Sequence, residues 1–257
     1  PHRLVRDNSV IDVREFPEGY FLTDQLVDEA LGMIDDLRAN DAEKPFFLYF
    51  AHTAVHGPIQ AKAGDIARQR GRYRDGWNAI RERRFERQRA LGVIPTHAEL
   101  PTGELADKRI PDWDTLSTAE QERFARHMEA YAAAVVSVDQ SVGALVDYLR
   151  TRGELDNTIV LVTSDNGGTA EGGPSGTRSY FAQFGLYTPL PKDWIHDVER
   201  PIEEIGGPRM FAHYPSGWAR VSNTPFRDYK SSTYEGGVHA PLVISWPAAP
   251  ARARGLR

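Results

Sequence analysis

Apolar residues recur at two spacings along this chain, and the alternation between them predicts its elements. Leu26, Ala30, Ile34 and Leu37 fall at helical intervals. Thr23 suits an N-cap and Asp24 the first turn, so a helix is expected to run to about Asn40. Phe46 to Phe50 is then a short aromatic and aliphatic run, the pattern of a buried strand. Phe124, Met128, Tyr131, Val135, Val138, Val142, Leu145 and Leu149 make a longer helical stripe. Ser117 and Glu120 open it as a capping box, and Gly153 suits its C-terminal stop. Ile159 to Val162 is short, mostly β-branched and bounded by polar residues, which reads as a strand buried on both faces. Leu242 to Trp246 repeats that pattern. Helix followed by strand, repeated, predicts an α/β class with a mainly parallel sheet flanked by helices.

Three stretches depart from this grammar. Residues Ala63 to Ala90 are rich in Arg and Glu with few aliphatics, and are expected as surface helix and loop with solvated charges. Gly92 to Trp113 reads as a long connection. Gly172 to Arg227 carries many Gly, Pro and aromatic residues with weak periodicity, the mark of an ordered insertion covering a site. The expectation is therefore one domain through residues 1–257, with long surface insertions at about 63–115 and 168–228.

Composition narrows the classes. The 257 residues are 40% hydrophobic and 26% charged, enough to bury a core. A formal net charge of -5 argues against a general nucleic-acid binder, although Arg residues cluster between Arg68 and Arg89. Without cysteine there is neither a disulfide framework nor a Cys-based zinc site. No apolar run approaches the length of a membrane span. Pro1 opens within a polar stretch and the chain stops after a strand-like segment at Ala-Arg-Ala-Arg-Gly-Leu-Arg, so an internal fragment of a longer protein is expected.

Candidate chemistry sits at the carboxyl ends of the expected strands, where open α/β sheets bind ligands. Asp165 and Asn166 follow the Ile159 strand and offer a carboxylate and an amide carbonyl, hard oxygens suited to Ca²⁺ or Mg²⁺. Asp-Asn-Gly is also ordinary turn chemistry, and both readings stay open. The Phe46 strand leads into His52 and His56; His56, held before Gly57 and Pro58, is the stronger candidate for anion binding or proton transfer, and His52 reads as an ordinary loop histidine. Lys230 lies in a Gly-bounded loop before the last strand, a place for a point charge on an anion, though a lone lysine is usually a surface residue.

The ordered set Gly19-Tyr20-Phe21-Leu22-Thr23-Asp24, Val55-His56-Gly57-Pro58, Gly153 to Thr158, Ser164-Asp165-Asn166-Gly167, Tyr229-Lys230 and Glu235-Gly236-Gly237 resembles the type I sulfatases of the alkaline phosphatase superfamily. The charged segment between His56 and Ser117 is similar to that of the larger bacterial arylsulfatases. The resemblance implies part of a sulfatase catalytic domain that hydrolyses sulfate esters, small molecules, with no nucleic-acid partner and the remainder of its own chain completing it. It implies that Asp165 and Asn166 hold a divalent cation, usually Ca²⁺, that His56 holds the sulfate group, and that Lys230 contacts the sulfate and the ester oxygen. It also implies a formylglycine nucleophile from Cys/Ser-x-Pro-x-Arg. That motif, the first acidic metal ligands and the Lys and His near the nucleophile have no match here and are expected upstream of Pro1. His239 stands where the family commonly has Arg. A phosphate mono- or diester hydrolase of the same superfamily, or a non-catalytic anion-binding relative, are the alternatives. The nucleophile discriminates between them.

Overall fold

A computed structural model describes residues 4–12, 15–101, 110–180 and 200–249. These fall into two compact units, Pro1–His52 and Thr53–Arg257. The C-terminal Arg-rich stretch and residues 181–199 of the expected insertion lie outside the described residues.

The first unit opens with an antiparallel hairpin, β1 (Leu4–Arg6) and β2 (Ser9–Ile11), in the register Val5 to Val10. Asp7 and Asn8 turn it with φ of 48° and 64°, a left-handed pair that these two residue types tolerate well. Helix α1 (Leu22–Asn40) follows, with Thr23, Val27, Ala30 and Ile34 buried. Thr23 is therefore inside the helix rather than capping it; Phe21 is the cap residue and contributes no side-chain bond. Phe46 to Phe50 does not pair as a strand. It alternates, with Phe47 90% and Tyr49 81% exposed, and no ladder partner stands beside it among the described residues. A strand is a property of two chains, and local apolarity supplies only one.

In the second unit the core is aromatic at its centre. Trp77, Trp113, Phe124 and Trp218 interlock, with ring centroids 4.8 Å apart for Trp77–Trp113 and 5.7 Å for both Trp77–Phe124 and Trp77–Trp218. Two of these buried indoles donate to main-chain carbonyls: Trp77 to Pro111 at 3.0 Å and Trp218 to Phe124 at 2.8 Å. These residues come from α3 (Gly76–Ala90), a 3₁₀ turn (Trp113–Thr115), α4 (Thr118–Thr151) and α5 (Ser216–Ser222). Helix α2 (Ala63–Gln69) adds Ile66. The segments at 63–115 and 168–228, expected as surface insertions, thus supply core: Trp77, Trp113, Met210 and Trp218 are all buried. Tryptophan at isolated positions gives no periodicity, so its burial was invisible to pattern reading.

Helix α3 also turns part of its charge inward. Arg81 is buried and donates to the Pro225 carbonyl at 3.3 Å; Arg84 donates to Val221 at 3.0 Å and Gln88 to Thr224 at 2.8 Å. The three lie on one helical face and satisfy carbonyls at and just beyond the C-terminal end of α5, which a helix end otherwise leaves without partners.

Helix α4 carries the predicted capping box. Ser117 Oγ accepts from the Glu120 amide at 3.4 Å, and Glu120 accepts from the Ser117 amide at 2.9 Å. It ends as expected at Gly153, whose φ of 72° lets the Glu154 amide reach the Leu149 carbonyl at 2.9 Å. Phe124, Met128 and Leu149 are buried as the stripe requires, but between them the buried face is Ala130, Ala133, Ala134, Ser137 and Ser141, and Val135 is exposed. Against the expectation from apolar runs, α4 is long and apolar enough by composition to cross a bilayer. Its residues from Phe124 to Ala134 instead help to build the core cluster.

Strand β3 (Val160–Thr163) pairs antiparallel with β4 (Leu242–Ser245), Leu161 opposite Ile244 and Val162 opposite Val243. A mainly parallel sheet was expected; both sheets among the described residues are two-stranded and antiparallel. Apolarity of a strand does not encode the direction of its neighbour. Nor is β3 covered on both faces: Leu161 and the whole of β4 are exposed.

Candidate functional site

The site grows out of the loop that leaves β3. Gly167 donates its amide to the Gly237 carbonyl at 3.0 Å, and Gly168 accepts the Lys230 amide at 3.1 Å. The loop bearing Asp165 and Asn166 is thereby laced to the loop bearing Lys230. Only glycine permits this approach: a Cβ on Gly167 would fall 1.9 Å from the Gly236 carbonyl oxygen. Asn223, at the end of α5, clamps the same junction. Its Oδ1 accepts from the Gly168 amide at 2.7 Å, and its Nδ2 donates to the Gly168 and Asp228 carbonyls at 3.2 and 2.9 Å.

Lys230 projects from this junction toward His56, Nζ lying 3.1 Å from Nε2. The other ring nitrogen, Nδ1, lies 2.9 Å from the Gly57 carbonyl. One tautomer satisfies both contacts: the proton sits on Nδ1 and is donated to Gly57, while Nε2 accepts from the ammonium. Gly57 has no room for a side chain, because a Cβ would fall 2.7 Å from His213 and 3.1 Å from Tyr180. Those two rings stack 5.4 Å apart, and His56 stands edge-on to Tyr180 at 6.4 Å.

A carboxylate completes the group. Glu171 Oε1 lies 3.7 Å from Lys230 Nζ, and its Oε2 accepts from the Tyr180 hydroxyl at 2.7 Å. Burial alone would raise the Glu171 carboxyl; the Tyr180 hydrogen bond and the Lys230 charge outweigh it and hold it below the ordinary glutamate range. Burial, and then Glu171 itself, push the Tyr180 hydroxyl upward, so it stays a donor. His213 is held below the ordinary imidazole range by burial.

Asp165 is exposed at the end of β3 and Asn166 is half-buried, with its Nδ2 donating to the Gly167 carbonyl at 2.9 Å. That bond orients the amide and leaves its carbonyl oxygen as the atom a hard cation would take. Two oxygens are compatible with a partial Ca²⁺ shell, which needs six to eight. Among the described residues no group of three or more His, Asp or Glu side chains could hold a metal. Of the four candidates read from the sequence, the structure brings His56 and Lys230 into contact and ties the Asp165–Asn166 loop to the Lys230 main chain. His52 lies edge-on to Phe50 at 5.4 Å, and His239 stacks on Phe226 at 4.4 Å beside Glu235. Glu171, Tyr180, His213 and Asn223 were missed. Tyr180, His213 and Asn223 sit in the aperiodic stretch and Glu171 just before it, and the only signal was that Glu171 follows Gly168 by three residues.

Comparison with known proteins places the chain in a family. A family model described as Sulfatase matches residues 4–255. An uncharacterised sulfatase of Schizosaccharomyces pombe is 36% identical over 216 residues, 84% of this chain and 37% of its own length. The arylsulfatase of Klebsiella aerogenes is 32% identical over 212 residues, 82% of this chain and 42% of its own. A solved structure, Ps i-CgsB in complex with k-i-k-neocarrahexaose, aligns at 22% identity with a TM-score of 0.46, covering 96% of this chain and 31% of that one. This chain therefore spans about two fifths of the length of the curated relatives it matches, and it belongs to the sulfatase family.

Proposed function

We propose that this chain supplies half of the catalytic site of a metal-assisted sulfate ester hydrolase of arylsulfatase type. The observation that carries the reading is the meeting of Lys230 Nζ with His56 Nε2 at 3.1 Å, from positions 174 residues apart. The ammonium spends one proton on the imidazole and keeps its charge and its other N–H groups for an anion. In the proposed role, His56 orients the sulfate group, and Lys230 neutralises the charge that builds on the ester oxygen as the bond breaks. Asp165 and Asn166 would hold a divalent cation, Ca²⁺ before Mg²⁺, whose chemistry is to withdraw charge from the sulfate oxygens. The nucleophile, in this proposal a formylglycine, and the remaining metal ligands come from outside residues 1–257. The same remainder of the chain would cover the exposed faces of β3 and β4.

The test is turnover of an aryl sulfate by the protein in its complete chain. Lys230→Ala and His56→Ala should each lower kcat/KM by about a hundredfold or more, the loss typical of one charge-stabilising donor. Near-normal turnover in either variant removes that residue from the mechanism.

A further inference from the structure

We propose that Glu171 is a charge selector, which makes this site prefer singly charged ester groups over doubly charged ones. The inference rests on the sulfatase reading above and names what that reading leaves open, how an anion site would rank singly against doubly charged esters.

The geometry is that of a fixed counter-charge. Glu171 stands 3.7 Å from the ammonium, and both side chains are about a quarter exposed, 26% and 25%. Its other oxygen is anchored by the Tyr180 hydroxyl at 2.7 Å. Tyr180 is itself fixed from two sides, by its amide on the Phe211 carbonyl at 2.8 Å and by the stack on buried His213. The loop cannot easily carry Glu171 away, because Gly172 lies so close to the neighbouring chain that a Cβ there would fall 2.1 Å from the Tyr214 carbonyl oxygen. The carboxylate is thus held beside the group that attracts the substrate.

An ammonium alone rewards every negative charge on a ligand, so it would favour a dianion over a monoanion. A carboxylate behind it subtracts from that reward in proportion to the ligand's charge. A sulfate monoester carries one negative charge. A phosphate monoester, with its second ionisation near pH 6, carries close to two at pH 8. A phosphate diester again carries one. Shape separates these ligands poorly, since all are tetrahedral oxyanions. Charge separates them, and Glu171 is the charged group in contact with Lys230 that bears the sign needed.

The experiment compares the complete protein with Glu171→Gln and Glu171→Asp at pH 8. The assays use an aryl sulfate, an aryl phosphate monoester and an aryl phosphate diester, and dissociation constants for phenyl sulfate and phenyl phosphate are read by calorimetry. Glu171→Gln keeps an acceptor for Tyr180 and removes the charge. Its monoester-to-sulfate ratio should rise about tenfold in kcat/KM and in affinity. Its diester-to-sulfate ratio should stay within about twofold, and Glu171→Asp should keep the parent ratio within about threefold. An unchanged monoester ratio in Glu171→Gln overturns the proposal. So does a parallel rise for monoester and diester, which would mark a loosened site. A parent protein that hydrolyses no sulfate ester sinks the sulfatase reading, and the affinity ratio then still decides the role of Glu171.

Discussion

Asn223 shows how much of this site is held by groups that touch no substrate. One side chain bonds the amide and carbonyl of Gly168 and the carbonyl of Asp228, so it joins the loop of Asp165 and Asn166 to the loop of Lys230. Nothing in a lone Asn before Thr224 and Pro225 announces this. Strand-like runs and nearby glycine or proline marked His56, Asp165, Asn166 and Lys230 only as candidates, and their expected roles came from the family resemblance. Glu171 and Tyr180 were not, because their meaning lies in a partner far along the chain. Asp165 permits a test of the metal proposal that is separate from stability. It is exposed, so Asp165→Ala should leave the thermal midpoint within about 2 °C of the parent. In the complete protein it should weaken Ca²⁺ binding by about tenfold or more by calorimetry. Thorough chelation should abolish aryl sulfate turnover, and Ca²⁺ should restore it. Full activity after chelation would remove the metal from the proposal.

The elements differ in how openly they announce themselves. Helix α4 was readable from cap to stop because its signals are local: Ser117 and Glu120 at one end, Gly153 at the other. Helix α3 was read as a charged surface, yet Trp77 and Phe85 bury one face and Arg81, Arg84 and Gln88 bond the end of α5. The partner of α3 decides this, and its own composition does not. The packing of α3 on α5 gives a sharp expectation at Gly217, which is helical in α5. By propensity alone, Gly217→Ala would stabilise by up to about 1 kcal/mol. A Cβ there would fall 2.4 Å from the Trp77 ring, which is itself locked against Trp113 and Phe124. Overpacking of that kind costs typically about 1–3 kcal/mol, so the clash wins. Urea denaturation should show Gly217→Ala less stable by about 1–2 kcal/mol net. A stabilised variant would mean that α5 slides freely on α3.

In the molecule as a whole, the α4 part of the core was readable but the rest of it and the sheets were not, since packing, pairing direction and coverage depend on residues distant in sequence. The core also encloses a group that apolar patterning passes over. His127 on α4 is fully buried, and its Nδ1 makes no hydrogen bond among the described residues. Burial first, and then the positive charges of Arg123, His213, Arg178 and Arg126, lower its pKa from 6.5 to about 3. The consequence for stability follows from proton counting. Above pH 6.5 the imidazole is neutral in both the folded and the unfolded chain, and it contributes no pH dependence. Between pH 6.5 and about 3 the unfolded chain binds the proton and the folded one refuses it, so stability falls with acidification. The slope from this group is about 1.4 kcal/mol per pH unit, or roughly 3 kcal/mol lost by pH 4.5. His127→Gln cannot titrate and should flatten that limb. Measured by urea denaturation from pH 7.5 to 4.5, the gap between parent and variant should close, or reverse, as pH falls. Parallel lines would show that His127 is not the acid-sensitive group, and that the core opens to protonation elsewhere first.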